Sequence, residues 1–186
     1  MSITSLDQIL PNHNTTIAKN LKLNLRRLTE ESALDKVEAA MTLMATSTSV
    51  EFPELIALAK AQLDASSVPA DQQQEAAESA AMMGMLNLYY RFRHFMQHSP
   101  DGAAAADHYK AAGLSMTALA KPAVGKERWE MLALAVSVIN GCEQCVTSHE
   151  KSLRDLGVPP QKIHDLARIA AVVKALKALS TIPAAA

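Results

Sequence analysis

Glu130-Met131-Leu132-Ala133-Leu134-Ala135-Val136-Ser137-Val138-Ile139-Asn140-Gly141-Cys142-Glu143-Gln144-Cys145-Val146-Thr147-Ser148-His149-Glu150 reads as two helices joined by one break. Small and branched apolar side chains fill the first part and predict a helix over Glu127–Ile139, which Asn140-Gly141 ends. A second helix is expected over Gly141–Leu156, and a third from Pro159 to about Leu179. Working outward, Ile17, Leu21, Leu25 and Leu28 fall on one face of a helix over about His13–Leu28. Thr29-Glu30-Glu31-Ser32 can cap a helix over Ala33 to about Thr46. Pro53 suits the first turn of another ending near Ala65. Beyond the Ser66-Ser67-Val68-Pro69 linker, the helical pattern runs from Pro69 to about Gln97. Ala103–Ala112 reads as a short helix, and 113–125 as a connection carrying one more turn.

Alternation typical of strands is scarce, and 33 of the 186 residues are alanine, the best intrinsic helix former. The expected fold class is therefore all-α, in a single domain spanning 1–186. A faint repeat at an offset of 90 matches Val68-Pro69 with Val158-Pro159, and Ala77, Ala80 and Ala81 with Ala167, Ala170 and Ala171. It would divide the chain at about 30–110 and 120–186, and only the second copy holds cysteines. A net charge of -1 gives a polyanion nothing to bind, so no nucleic-acid partner is expected, despite the mixture of aromatic and basic residues in Tyr89–His94. No window approaches 18 unbroken apolar residues and the start lacks a leader pattern, so no membrane association and a cytoplasmic location are expected. Met82-Met83-Gly84-Met85 is read as core packing.

Cys142 and Cys145 are too few for a disulfide framework, and a bond between them would close too short a loop to stabilise the chain much. Chemistry is the better use. At ~100° per residue Cys142, Cys145 and His149 share an arc of about 60° on one helix face. A helix starting at Gly141 puts Cys142 in the first turn, where free N–H groups and the helix dipole favour a thiolate. His149 can exchange a proton with a thiol. Glu130, among Leu132, Ala133, Leu134 and Val136, is expected to have a pKa raised by desolvation, which suits a proton acceptor. Blander readings compete with this one. Two cysteines and a histidine could be zinc ligands, but the fourth ligand is missing, and no metal is expected. Haem attachment needs histidine where Val146 stands, and a thioredoxin domain needs a strand before the cysteines. The cysteines could be small core residues, and Glu130 a solvent-exposed first-turn carboxylate. His98, His108 and His164 lack partners at ligand spacing, and Lys110, Lys121 and Lys126 form no run.

Glu130-x11-Cys142-x2-Cys145-x3-His149, followed by Glu150 and the turn from Leu153 to Val158, resembles the alkylhydroperoxidase AhpD family of the carboxymuconolactone decarboxylase superfamily. Leu21–Leu25 and Met83–Arg93 also resemble segments that the superfamily's shorter members lack. The resemblance implies an all-helical homotrimer that reduces alkyl hydroperoxides with thiols. It makes Cys145 the attacking thiolate that becomes a sulfenic acid, and Cys142 the resolving thiol and proton donor, closing a Cys142–Cys145 disulfide. Glu130 becomes the general base, acting through His149. The helix-start argument instead favours Cys142 as the more acidic thiol. Gln144 stands where the family often has a relay histidine and could substitute only as a hydrogen-bonding group. The resemblance further implies a peroxiredoxin partner (AhpC) and electrons from a dihydrolipoamide-type reductant on a lipoyl protein, with no bound cofactor. Three alternatives stay open: a peroxiredoxin disulfide reductase with little direct peroxidase activity, a metal-binding or redox-sensing helical oligomer, and a carboxymuconolactone decarboxylase. The last is disfavoured because that reaction needs no vicinal thiols.

Overall fold

In the computed structural model residues 6–102 and 107–183 are described. They form α1 (Leu6–Ile9), α2 (Thr16–Glu30), α3 (Lys36–Ser49), α4 (Pro53–Ala65), α5 (Ala70–Gln97), α6 (Lys126–Asn140), α7 (Glu143–Asp155) and α8 (Pro160–Ser180), with a 3-10 turn at Thr117–Ala120. There is no strand among the described residues, and the fold is all-α. The short helix expected over Ala103–Ala112 begins outside the described residues. The chain is helical at 107–108 and has left the helix by 110.

α3 and α6 are the centre because neither has a polar side to turn outward. Buried residues run without interruption from Glu38 to Ser47 in α3 and from Trp129 to Ser137 in α6. A helix apolar all round must be enclosed. The two helices pack on each other, and α5 and α8 each touch both. α4 lies on α3 and α7 on α6, while α2 covers α8. The buried apolar side chains make one connected cluster reaching from Ile9 to Leu176.

The helix starts at 36, 53 and 70 reappear at 126, 143 and 160, each displaced by 90. The turns between them correspond as well. Glu51 and Gly141 are both left-handed, at φ 54° and 63°, and Ser67 and Gly157 likewise, at 55° and 83°. Each of these turns ends a helix in the same way, with the following N–H reaching back five residues. Phe52 N donates to Ser47 O, Cys142 N to Ser137 O, Val68 N to Leu63 O and Val158 N to Leu153 O.

Three expectations change. α3 starts at Lys36, not Ala33, because Asp35 forms a capping box with Glu38, while Thr29 and Glu30 complete α2. Ile17 lies on the predicted apolar face but is 70% exposed, since the first turn of α2 runs past the core that Leu25 and Leu28 enter. Of the methionine cluster only Met83 is in the core; Met85 is exposed.

Two buried carboxylates fasten α8 to α3 and to the junction before it. Both oxygens of Glu38 accept from Lys162 Nζ, at 2.7 and 2.8 Å. Asp165 accepts from the Ala33 N–H at 2.8 Å and from Arg168 at 2.8 Å. Buried charge in this fold is thus paired, as its desolvation requires.

Candidate active site

The left-handed turn at Gly141 decides where the cysteines stand. Gly141 N donates to Val138 O and Cys142 N to Ser137 O, so α6 closes in a Schellman turn whose last residue is Cys142. The same Cys142 is the N-cap of α7, which starts at Glu143 and not at Gly141, so Cys142 stands just before the first turn in which it was expected. Its Sγ accepts from Cys145 N at 3.4 Å, where an N-cap oxygen would ordinarily serve. Cys142 and Cys145 are joined as a disulfide, with Cα atoms 5.3 Å apart. They are only 1% and 6% exposed, so a reactant must be slender or the rim must open.

Glu130 lies one turn into α6, 4% exposed, and faces α7. Its Oε2 is 2.6 Å from His149 Nδ1, and its Oε1 takes the ammonium of Lys126. Burial alone would push the Glu130 carboxyl up. Hydrogen bonds from His149 and Lys126, together with their charge, outweigh it and hold the carboxyl below the ordinary carboxylate range. The expected upward shift is therefore reversed, because two donors meet a carboxylate expected to be alone. An ionised carboxylate can only accept, so His149 Nδ1 carries the hydrogen. Nε2 is left to exchange protons.

Glu130 and His149 are thus brought together, as are the two cysteines, and His149 follows Cys145 by one turn of α7. Gln144 is exposed, and among the described residues its side chain has no hydrogen-bond partner. Lys126 is a partner that the sequence pattern does not single out, although its four-residue spacing from Glu130 is a readable signal. A cation in the first turn of a helix opposes the dipole, and the Glu130 pair offsets that. Sequence reasoning also misses a polar bridge from α5: Asn87 Nδ2 donates to Ser137 Oγ at 2.9 Å, and Asn140 Nδ2 donates to Asn87 Oδ1 at 2.9 Å. Arg91 donates to the Asn140 carbonyl at 2.7 Å. No single helix reveals these contacts, which join residues about 50 positions apart. Among the described residues no group of three or more His, Cys, Asp or Glu is placed to hold a metal ion.

At the places 90 residues earlier stand Ala40 for Glu130, Phe52 for Cys142, Leu55 for Cys145 and Ala59 for His149. All four are buried. There the same backbone encloses plain hydrocarbon.

A helical fold built on two enclosed central helices, with a Cys-x-x-Cys pair opening one helix and a Glu–His pair joining it to the next, defines a helical protein of the Cys-x-x-Cys redox class. Residues 104–186 match the Carboxymuconolactone decarboxylase family. Over nearly its whole length the chain is similar to alkyl hydroperoxide reductase AhpD of Maricaulis maris, at 39% identity over 180 residues, covering 96% of this chain and 97% of that protein. AhpD of Mycobacterium tuberculosis is 35% identical over 185 residues, covering 99% and 98%. AhpD of Anaeromyxobacter dehalogenans is 40% identical over 158 residues, covering 85% and 81%. The chain belongs to the AhpD family.

Proposed function

We propose that the protein is an antioxidant alkyl hydroperoxide reductase that works through the Cys142–Cys145 pair. The observation that carries this reading is a Cys-x-x-Cys disulfide at a helix start, with His149 one turn further along the same helix and paired to the buried Glu130. In the reduced protein His149 Nε2 takes the Cys145 thiol proton, while Glu130 fixes the ring and stabilises the charge it gains. Glu130 is thus an orienting anion more than the terminal base, since Lys126 and His149 already occupy both its oxygens. The Cys145 thiolate attacks the distal oxygen of the hydroperoxide, the O–O bond breaks, and the alkoxide leaves as alcohol with a proton. Cys142 then attacks the sulfur of the Cys145 sulfenic acid and closes the disulfide, and the oxygen departs as water. A dihydrolipoamide-type dithiol returns two electrons and two protons through a mixed disulfide. With Gln144 outside the hydrogen bonding, the relay is confined to Glu130 and His149.

Burial of both sulfurs favours a small hydroperoxide and a slender lipoyl arm as direct reactants. A peroxiredoxin partner, AhpC, is carried by the family alone. A cycling dithiol requires a reducing compartment, which supports the cytoplasm. Exposed Met85, Leu88, Phe92 and Phe95 line one stripe of α5 and support a homotrimer that covers them. The 90-residue correspondence of helices and turns supports two copies of one helical unit, of which the second kept or gained the chemistry.

The reduced protein is treated with one equivalent of ethyl hydroperoxide, a small substrate suited to the buried sulfurs, and its thiols are counted by mass spectrometry. Loss of both, with a mass decrease of about 2 Da on the peptide holding Cys142 and Cys145, is the expected result. Two unchanged thiols would overturn direct peroxide reduction.

A further inference from the structure

Closing or opening the Cys142–Cys145 bond depends on where the turn before it holds Cys142. That turn hangs from the end of α6, and helix ends leave carbonyls without partners. Here the Asn140 carbonyl receives the Arg91 guanidinium, a charged donor from another helix. Asn87, one turn earlier on α5, is 1% exposed and bridges the Asn140 side chain to the Ser137 hydroxyl. The backbone carbonyl of that same Ser137 accepts from Cys142 N. Two α5 side chains therefore hold the last turn of α6, at Ser137 and Asn140, directly before the left-handed residue from which Cys142 emerges. Nothing in the proposed proton relay uses them. Ninety residues earlier Val50 stands in place of Asn140, where no redox pair follows.

We infer that Arg91 and Asn87 are positioning residues for the redox pair: by holding Asn140 they fix the Gly141 turn that sets Cys142 against Cys145, and so set how strongly the dithiol favours closing. The inference rests on reading these cysteines as a cycling pair. A held turn keeps the two sulfurs at high effective concentration for one another, and a loosened turn favours the open dithiol.

The test equilibrates the full-length protein with dithiothreitol buffers of graded reduced-to-oxidised ratio. Dithiothreitol gives two electrons and two protons to the disulfide and closes its own ring disulfide. Thiols are then alkylated and the open fraction is read by mass spectrometry. Arg91→Met is expected to move the equilibrium toward the open dithiol by about tenfold, the loss of one charged hydrogen bond. Arg91→Lys, which keeps a single donor but not the planar fork, should recover part of the shift. Asn140→Val should move it the same way, and it carries the test should Arg91→Met not fold. Arg93→Met removes the same charge from a guanidinium that lies 5.6 Å over the Tyr90 ring, outside the bridge, and should equilibrate as the parent does.

The inference is overturned if Arg91→Met and Asn140→Val equilibrate as the parent, or if each lowers the melting temperature equally in oxidised and reduced protein, the mark of a purely structural role. No peroxide enters this measurement. A shift without hydroperoxide turnover would uphold the positioning role and remove only the peroxidase reading, whereas a parent disulfide that dithiothreitol cannot open would overturn both.

Discussion

Glu130 receives a proton donor on each oxygen, and this gives the site a pH signature. Its carboxyl lies below the ordinary value of 4.5, so the pairing is fully stabilising above that pH and is lost as the pH falls through the depressed value. Glu130→Gln is expected to flatten the fall in melting temperature below about pH 4.5, which a series of thermal melts from pH 3 to 7 would read. It should also slow reaction of Cys145 with hydroperoxide by roughly ten- to hundredfold, because the imidazolium loses its counter-charge. At the sulfurs, Cys145→Ser should abolish peroxide consumption. Cys142→Ser should leave a sulfenic acid that dimedone traps, and trapping absent from that variant but present in Cys145→Ser would reverse the two roles. The four candidate residues are legible in sequence because they lie within 20 positions on two neighbouring helices. The charge state of Glu130 is not, since it depends on Lys126 being close enough to reach a carboxylate that His149 also reaches.

Among the elements, α7 owes its start to a turn. Gly141 sits at φ 63°, and the place a methyl group would take there has nothing within 4 Å, so an added side chain meets conformational strain and no clash. Glu51 holds the corresponding turn at φ 54° without glycine. Gly141→Ala is therefore expected to fold and to cost about 1 kcal/mol, measured by urea denaturation. A loss of several kcal/mol would mean the turn tolerates no side chain. Helix boundaries near glycine and proline follow from the sequence, as α4 and α8 illustrate. The start of α3 does not fall beside Ser32, because a second N-cap candidate, Asp35, lies three residues on. Asp35 with Glu38 satisfies two backbone N–H groups reciprocally, which the earlier serine cannot do here. The exposure of Ile17 is likewise invisible to periodicity, which gives a face its direction but not its reach.

For the whole molecule the long-range ties matter most. Asp165 joins α8 to the chain before α3 through the Ala33 N–H. Asp165→Ala strands that donor and leaves Arg168 without its partner; a loss of about 3 kcal/mol is expected by denaturant unfolding. Substitution at Leu88, 63% exposed on α5, should leave the fold intact. Leu88→Glu is expected to reduce the assembled mass, read by light scattering on a sizing column, because it places a charge in the apolar stripe. A parent that runs as a monomer would overturn the proposed trimer, and an unchanged oligomeric mass would put its contact elsewhere. The all-helical class is readable from composition, but the enclosure of α3 and α6 by their neighbours is a property of packing alone.

The bond between Cys142 and Cys145 spans a sequence separation of three. So short a loop removes little freedom from the unfolded chain, and the core does not depend on it. Opening the bond therefore takes little stability from the fold. A dithiol so placed can open and close again and again while the fold stands, which is what the proposed cycling asks of it.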